Sequence, residues 1–230
     1  MTETAQTDVI SRLLDAAAMH VPFDGWSGTA FKAAIDESGV DPVVAKALCP
    51  RGAMDLAVAY HKRGDSQMVM ALSEDVLLEM KIREKITFAV RTRLELCPDR
   101  EIVRRGSTLF ALPQHAAAGA QLVWGTADAI WTAIGDTSQD INWYSKRATL
   151  SAVYSATVLY WLGDDSEGHA ATWAFLDRRI ENVMQFEKSK AQFNNSPLGK
   201  VMAGPLGALS KLRAPTFPGN MPGHWGQKGN

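Results

Sequence analysis

The five histidines, His20, His61, His115, His169 and His224, are scattered along the chain. None stands in Glu-x-x-His or His-Glu-x-x-His, so neither a helical di-iron site nor a zinc protease site is spelled out. GxxxxGK[ST], GxGxxG and GxSxG are also missing, which removes the usual phosphate cradle, dinucleotide turn and nucleophile elbow. Cys49 and Cys97 lie far apart and form no CxxC, so a disulfide scaffold and a zinc ribbon are excluded. No catalytic or metal-ligating residue and no cofactor is nominated, and a binding or presenting protein is the better expectation. The residues with chemistry to offer are aromatic. Five of the seven tryptophans, Trp124, Trp131, Trp143, Trp161 and Trp173, fall within 50 residues.

The elements that must position them read as helices almost throughout, and no strand-like alternation is visible. A first helix carries Val9, Ile10, Leu13, Leu14, Ala17 and Ala18, and Pro22 and Gly25 are expected to break it. Ser27 caps a second, ended by Gly39. Asp41-Pro42 opens a short third helix over 43–48. A fourth runs from Gly52 to about Gly64, and one long helix is expected over 67–96. Others follow over 99–111, 114–135, 140–162 and 167–193. Three short helices before long ones, with Glu37-Ser38-Gly39-Val40 as a helix-turn-helix corner, resemble the TetR architecture. The expected fold is all-α and TetR-like. A head over 1–64 carries a helical body over 65–195, then an amphipathic helix over 196–213 and a disordered tail over 214–230.

The head lacks the chemistry of a DNA reader. Its recognition helix would be Pro42–Leu48, with Lys46 as the one cation, and Asp36, Glu37 and Asp41 flank it. Residues 1–64 hold six Lys and Arg against eight acids. Phosphate contact dominates DNA affinity, so no specific DNA is expected as a partner. A ligand-responsive TetR-type regulator stays open as the alternative.

In the helix that begins at Asp140, Trp143, Leu150, Tyr154 and Trp161 are spaced 7, 4 and 7 apart and share one stripe. The opposite side, Ala148, Ala152, Ser155 and Leu159, is small or apolar, so this helix is expected at the centre of its bundle. The tryptophans either pack the core or wall an apolar cavity, and cavities between bundle helices are a usual place for small ligands. The residues assigned to such a lipid cavity are Trp124, Ile130, Trp131, Ile134, Tyr154, Trp161 and Trp173. Gly119, Ala120, Gly125, Ala127 and Ala129 would leave room beside them.

A more specific resemblance rests on Asp128-Ala-Ile-Trp131, Gly135-Asp136, Asp140-Ile-Asn142-Trp143-Tyr144-Ser-Lys-Arg147, Leu150, Tyr154 and Thr157, continued by Trp173, Phe175-Leu176 and Arg179-Ile180. These residues resemble the ubiquinone (coenzyme Q) biosynthesis accessory family of TetR-like lipid-binding proteins. The likeness spans roughly 5–213 and is most specific at 128–157. It implies a non-enzymatic protein that binds an isoprenoid lipid or ubiquinone precursor and presents it to the di-iron demethoxyubiquinone hydroxylase. It also places Trp143, Tyr144 and Arg147 in the partner-binding surface. A homodimer is expected.

Charge divides the chain. Residues 1–187 hold 18 Lys and Arg against 25 Asp and Glu, whereas 188–230 hold six cations and no acid. On a helix of about 100° per residue, Leu198, Val201, Met202, Leu206, Leu209 and Leu212 share an arc of roughly 140°. Lys200 and Lys211 lie opposite. With Arg213 they are worth about 3 kcal/mol at an anionic membrane surface. The membrane-binding set is therefore Leu198, Lys200, Met202, Leu206, Leu209, Lys211, Leu212 and Arg213. Pro205 weakens such a helix, and packing on the body or on a second subunit is the competing reading. No stretch approaches 18 apolar residues. The first 20 residues carry Glu3, Asp8 and Asp15 and no basic region before an apolar core, so neither a secretory signal nor a transit peptide is expected. Since eukaryotic members of the family carry a presequence, a bacterial member is expected, cytoplasmic and peripheral at the inner face of the membrane.

Overall fold

A computed structural model describes residues 2–195, and these are helical with no strand. The order is α1 (Glu3–Asp24), α2 (Gly28–Ser38), α3 (Pro42–Leu48), α4 (Ala53–Ala71), α5 (Glu74–Leu77), α6 (Ile82–Glu95), α7 (Arg100–Ala111), α8 (Ala116–Ala133), α9 (Ile141–Leu162) and α10 (Ala170–Asn195). The expected amphipathic helix 196–213, its membrane-binding residues and the tail 214–230 lie outside the described residues.

Local chemistry sets most boundaries. Ser27 Oγ accepts from the Ala30 N–H at 3.2 Å, and Asp41 Oδ1 accepts from Val43 and Val44 at 2.7 and 3.2 Å. Asp99 and Asp140 cap α7 and α9 in the same way. Gly39 ends α2 in the left-handed region at φ +64°, where a side chain would be strained. α1 does not break at Pro22: it continues to Asp24 and stops at Gly25, φ +67°. Arg105 of α7 donates to the Pro22 carbonyl at 3.0 and 3.2 Å and holds the end of α1 against the body.

The single helix expected over 67–96 is in fact the end of α4, the short α5 and α6. Met68, Leu72, Leu77, Ile86, Val90 and Leu94 are all buried. On one straight helix Leu77 would point about 140° away from Leu72, and Ile86 about 180° away from Leu77. Breaking the helix lets every one of them face the same core. Lys81 and Glu84 form the new start, with the Lys81 N–H donating to Glu84 Oε2 at 2.7 Å. The α4 helix also runs unbroken past residue 64, the expected head–body boundary.

Two apolar clusters result. The head cluster gathers Leu13, Leu14, Val21, Ala34 and Leu56 with Ile102 of α7, and the body cluster gathers Met68, Leu94, Ile130, Tyr154, Trp161 and Leu176. Trp26 of the head donates from Nε1 to the Ile102 carbonyl at 3.4 Å, so α7 joins the two. Leu150, Tyr154 and Trp161 of α9 are buried as their spacing required. The opposite side is not: Ala148, Ala152 and Leu159 are exposed, and α9 is a flank of the bundle rather than its centre. No described helix is long and apolar enough to cross a membrane.

Candidate functional site

A cavity of about 300 Å³ opens where α4, α6, α7, α8 and α9 meet. Its walls are Trp26, Leu94, Ile102, Phe110, Val123 and Val158. Glycines allow the helices to approach: a Cβ on Gly119 would lie 2.8 Å from the Phe110 Cβ. Ala111, Ala116, Ala120 and Leu159 line the cavity and are exposed, which marks the mouth.

The other end is polar. Tyr60, His61, Arg93, Cys97 and Tyr154 line it, and Asp65 and Thr126 stand behind them. The Arg93 guanidinium donates from Nε to Asp65 Oδ1 at 2.7 Å and from Nη2 to the His61 carbonyl at 3.0 Å. Thr126 Oγ1 lies 2.8 Å from His61 Nε2 and 3.0 Å from Asp65 Oδ1. The Thr126 proton is claimed by acceptors, either Asp65 or the Leu122 carbonyl at 3.2 Å. In the tautomer that donates from Nε2 to Thr126 Oγ1, His61 leaves Nδ1 as an acceptor. Burial pushes the His61 pKa down to about 4, so the ring is neutral near pH 7. Burial also raises the Tyr154 phenol, which stays protonated.

A second, smaller space of about 230 Å³ lies between α6, α9 and α10. Trp131, Leu150, Val153 and Ile180 line it, with Lys146 at its edge.

The α8–α9 corner carries an aromatic patch over buried charge. Trp143 packs against Trp124 at 6.0 Å and edge-on against Tyr144 at 4.8 Å, between ring centres. The Arg147 guanidinium sits 4.1 Å from the centre of the Trp143 ring. Arg147 is not part of the exposed surface. It is 2% exposed and pairs with Asp128 at 2.5 Å and Asp136 at 3.0 Å. Burial works to raise the Asp136 carboxyl, but hydrogen bonds from Lys146, Ser138 and Arg147 outweigh it and hold it at about 2.

Of the residues assigned from sequence to a lipid cavity, Tyr154 lines the larger space and Trp131 the smaller. Ile130, Ile134 and Trp161 are packed in the body core. Trp124 belongs to the α8–α9 patch, and Trp173 packs under Arg91 at 4.9 Å while donating to the Gly168 carbonyl at 2.8 Å. Sequence reasoning missed Trp26, Tyr60, His61 and Arg93. His61 and Asp65 are spaced i, i+4 on α4, which could have drawn attention, but their junction with Arg93 depends on the break before α6.

Fold and site together define an all-α protein of TetR-like architecture with a largely apolar cavity. The crystal structure of the TetR transcriptional regulator from Nitrosomonas europaea ATCC 19718 is similar with a TM-score of 0.63 at 19% identity, over 76% of this chain and 97% of that one. Residues 116–187, from α8 into α10, match the COQ9 family model. The Drosophila melanogaster ubiquinone biosynthesis protein COQ9, mitochondrial, is 34% identical over 194 residues, 82% of this chain and 59% of that protein. Human COQ9 is 28% identical over 210 residues, 88% of this chain and 65% of that protein. The chain belongs to the COQ9 family. It spans about three fifths of the length of the Drosophila and Dictyostelium discoideum proteins.

Proposed function

We propose that the chain is a non-enzymatic accessory protein of ubiquinone biosynthesis that binds an isoprenoid quinone precursor and presents it at a membrane to the demethoxyubiquinone hydroxylase. The observation that carries this reading is a largely apolar cavity, with a mouth of exposed small and apolar residues, in a chain whose relatives are named for that pathway. The physical need is plain. Each buried methylene is worth about 0.8 kcal/mol, so a polyprenyl chain does not leave a bilayer unaided. An apolar cavity held against the membrane lowers that barrier by offering a second apolar phase.

Trp143 and Tyr144, backed by Trp124, form the surface offered to the hydroxylase, and Arg147 supports it from beneath. Aromatic clusters of this kind are common hot spots of interfaces. The basic, amphipathic 196–213 segment is the membrane contact, and the protein acts as a homodimer. The runner-up, a TetR-type regulator, is favoured by fold similarity alone and opposed by the head's charge.

The reading is tested in the natural host. Deleting the gene should lower ubiquinone and raise a demethoxylated precursor, and the wild-type gene should restore the balance. Unchanged ubiquinone in the deletion strain would contradict the proposal.

A further inference from the structure

The lipid cavity has an orientation, because its two ends differ in chemistry. The mouth is small and apolar, with Ala111, Ala116, Ala120 and Leu159. The closed end is built from a guanidinium, an imidazole and two phenols. We propose that this closed end is a head-group site: it takes a neutral, oxygen-bearing ring inserted ring first, while the apolar chain leaves through the mouth. The proposal rests on the lipid-binding reading above and adds to it which end of the lipid enters and which heads are refused.

Charge balance gives the first argument. Arg93 is already neutralised by Asp65 at 2.7 Å, and His61 is uncharged. The closed end therefore has no net charge to offer. An ionised carboxylate or phosphate would be buried there without a counter-charge, which is unfavourable. A neutral head has no such penalty.

Hydrogen-bonding capacity gives the second. Asp65 and Thr126 are committed to the internal network. Arg93 uses Nε and Nη2, and Nη1 makes no hydrogen bond among the described residues. His61 Nδ1 is an acceptor, and Tyr60 Oη has only a weak partner, Cys97 Sγ at 3.5 Å. Donor and acceptor together suit a ring that carries oxygen as carbonyl or hydroxyl. Chain-first insertion would press methylenes on these groups and leave them unsolvated.

Shape gives the third. Trp26 and Tyr60, with ring centres 5.6 Å apart, and Phe110 supply flat walls for a ring. About 300 Å³ lies at the small end of ligand sites. It holds a ring and a short length of chain, and the remainder must pass the mouth.

The test uses the full chain and three probes with the same geranyl chain: a geranylphenol, geranylbenzene, and a geranyl-substituted benzoic acid, which is ionised at pH 7.5. Calorimetry should rank the phenol about 10-fold tighter than geranylbenzene, the value of one or two hydrogen bonds, with the ionised benzoic acid weaker than the phenol. Tyr60→Phe should weaken the phenol several-fold and leave geranylbenzene unchanged. Nuclear Overhauser contacts should join the ring protons to Leu94 and the chain-end methyls to Leu159. Equal affinity for the phenol and geranylbenzene, or ring contacts to Leu159, would overturn the head-first site while leaving lipid binding intact. Failure of all three probes to bind would overturn both readings.

Discussion

Gly64 of α4 and Arg93 of α6 occupy adjoining space: a Cβ on Gly64 would lie 2.6 Å from the Arg93 Cζ. The guanidinium is wedged against bare helix backbone and held there by Asp65 and the His61 carbonyl. Glycine inside a helix ordinarily costs about 1 kcal/mol relative to alanine, so Gly64→Ala would normally stabilise. Here the added methyl must displace Arg93 from its partners. We expect a net loss of about 1–3 kcal/mol in urea unfolding. Gly125→Ala on α8 has open space around it and should gain about 0.5–1 kcal/mol. Stabilisation by both changes would show that Arg93 is not fixed.

Arg147 is the second test of a buried charge. Its pairing with Asp136, itself nearly inaccessible, makes it structural as well as a support for Trp143. Arg147→Met should cost about 3 kcal/mol, because Asp136 is left with Lys146 as its one remaining cation. Asp128 is 45% exposed, and Asp128→Asn should cost less than about 1 kcal/mol. Similar midpoints for the two variants would return Arg147 to the surface.

Acid should expose His61. Its folded pKa of about 4 lies below the ordinary 6.5, because burial disfavours the charged ring. Between those values the unfolded chain holds a proton that the folded chain does not. Stability therefore falls as pH drops from 6.5 to 4, by roughly 3 kcal/mol. His61→Gln keeps a donor toward Thr126 and removes the titration. Its stability should be flatter over pH 4.5–7.5, a window above the titration of Asp136 near 2. Parallel curves for wild type and variant would mean that His61 titrates alike in both states.

The head should bind DNA weakly and without sequence preference. Val43 of α3 is 76% exposed where a base-reading polar residue would be needed, and Lys32 is already paired with Asp36. Selection from a genomic library at physiological salt should enrich no site. A reproducible palindrome would favour the regulator.

Local chemistry made much of the fold legible. Ser27, Asp41, Asp99 and Asp140 each satisfy helix N–H groups within three residues, and such caps read directly from sequence. The break at residues 72–81 was hidden, because helical periodicity persists on both sides and only the shared core decides the turn. The burial of Arg147 was hidden for a related reason: i, i+3 spacing to Tyr144 says they are neighbours, not that Asp128 and Asp136 arrive from α8 and the turn after it. The cavity was the least legible. Its lining comes from five helices, and of the four tryptophans assigned to it from sequence, Trp161 fills the core, Trp124 the α8–α9 corner and Trp131 the smaller space, while Trp173 packs under Arg91.

The central claim is lipid binding in the cavity, and native mass spectrometry of the full chain purified from its natural host tests it most directly, beside an Ala120→Trp variant that blocks the mouth. The wild type should carry an isoprenoid adduct whose mass identifies a quinone precursor, and the folded variant should carry little or none. A wild-type protein free of isoprenoid, or an equal load on both proteins, would contradict the account.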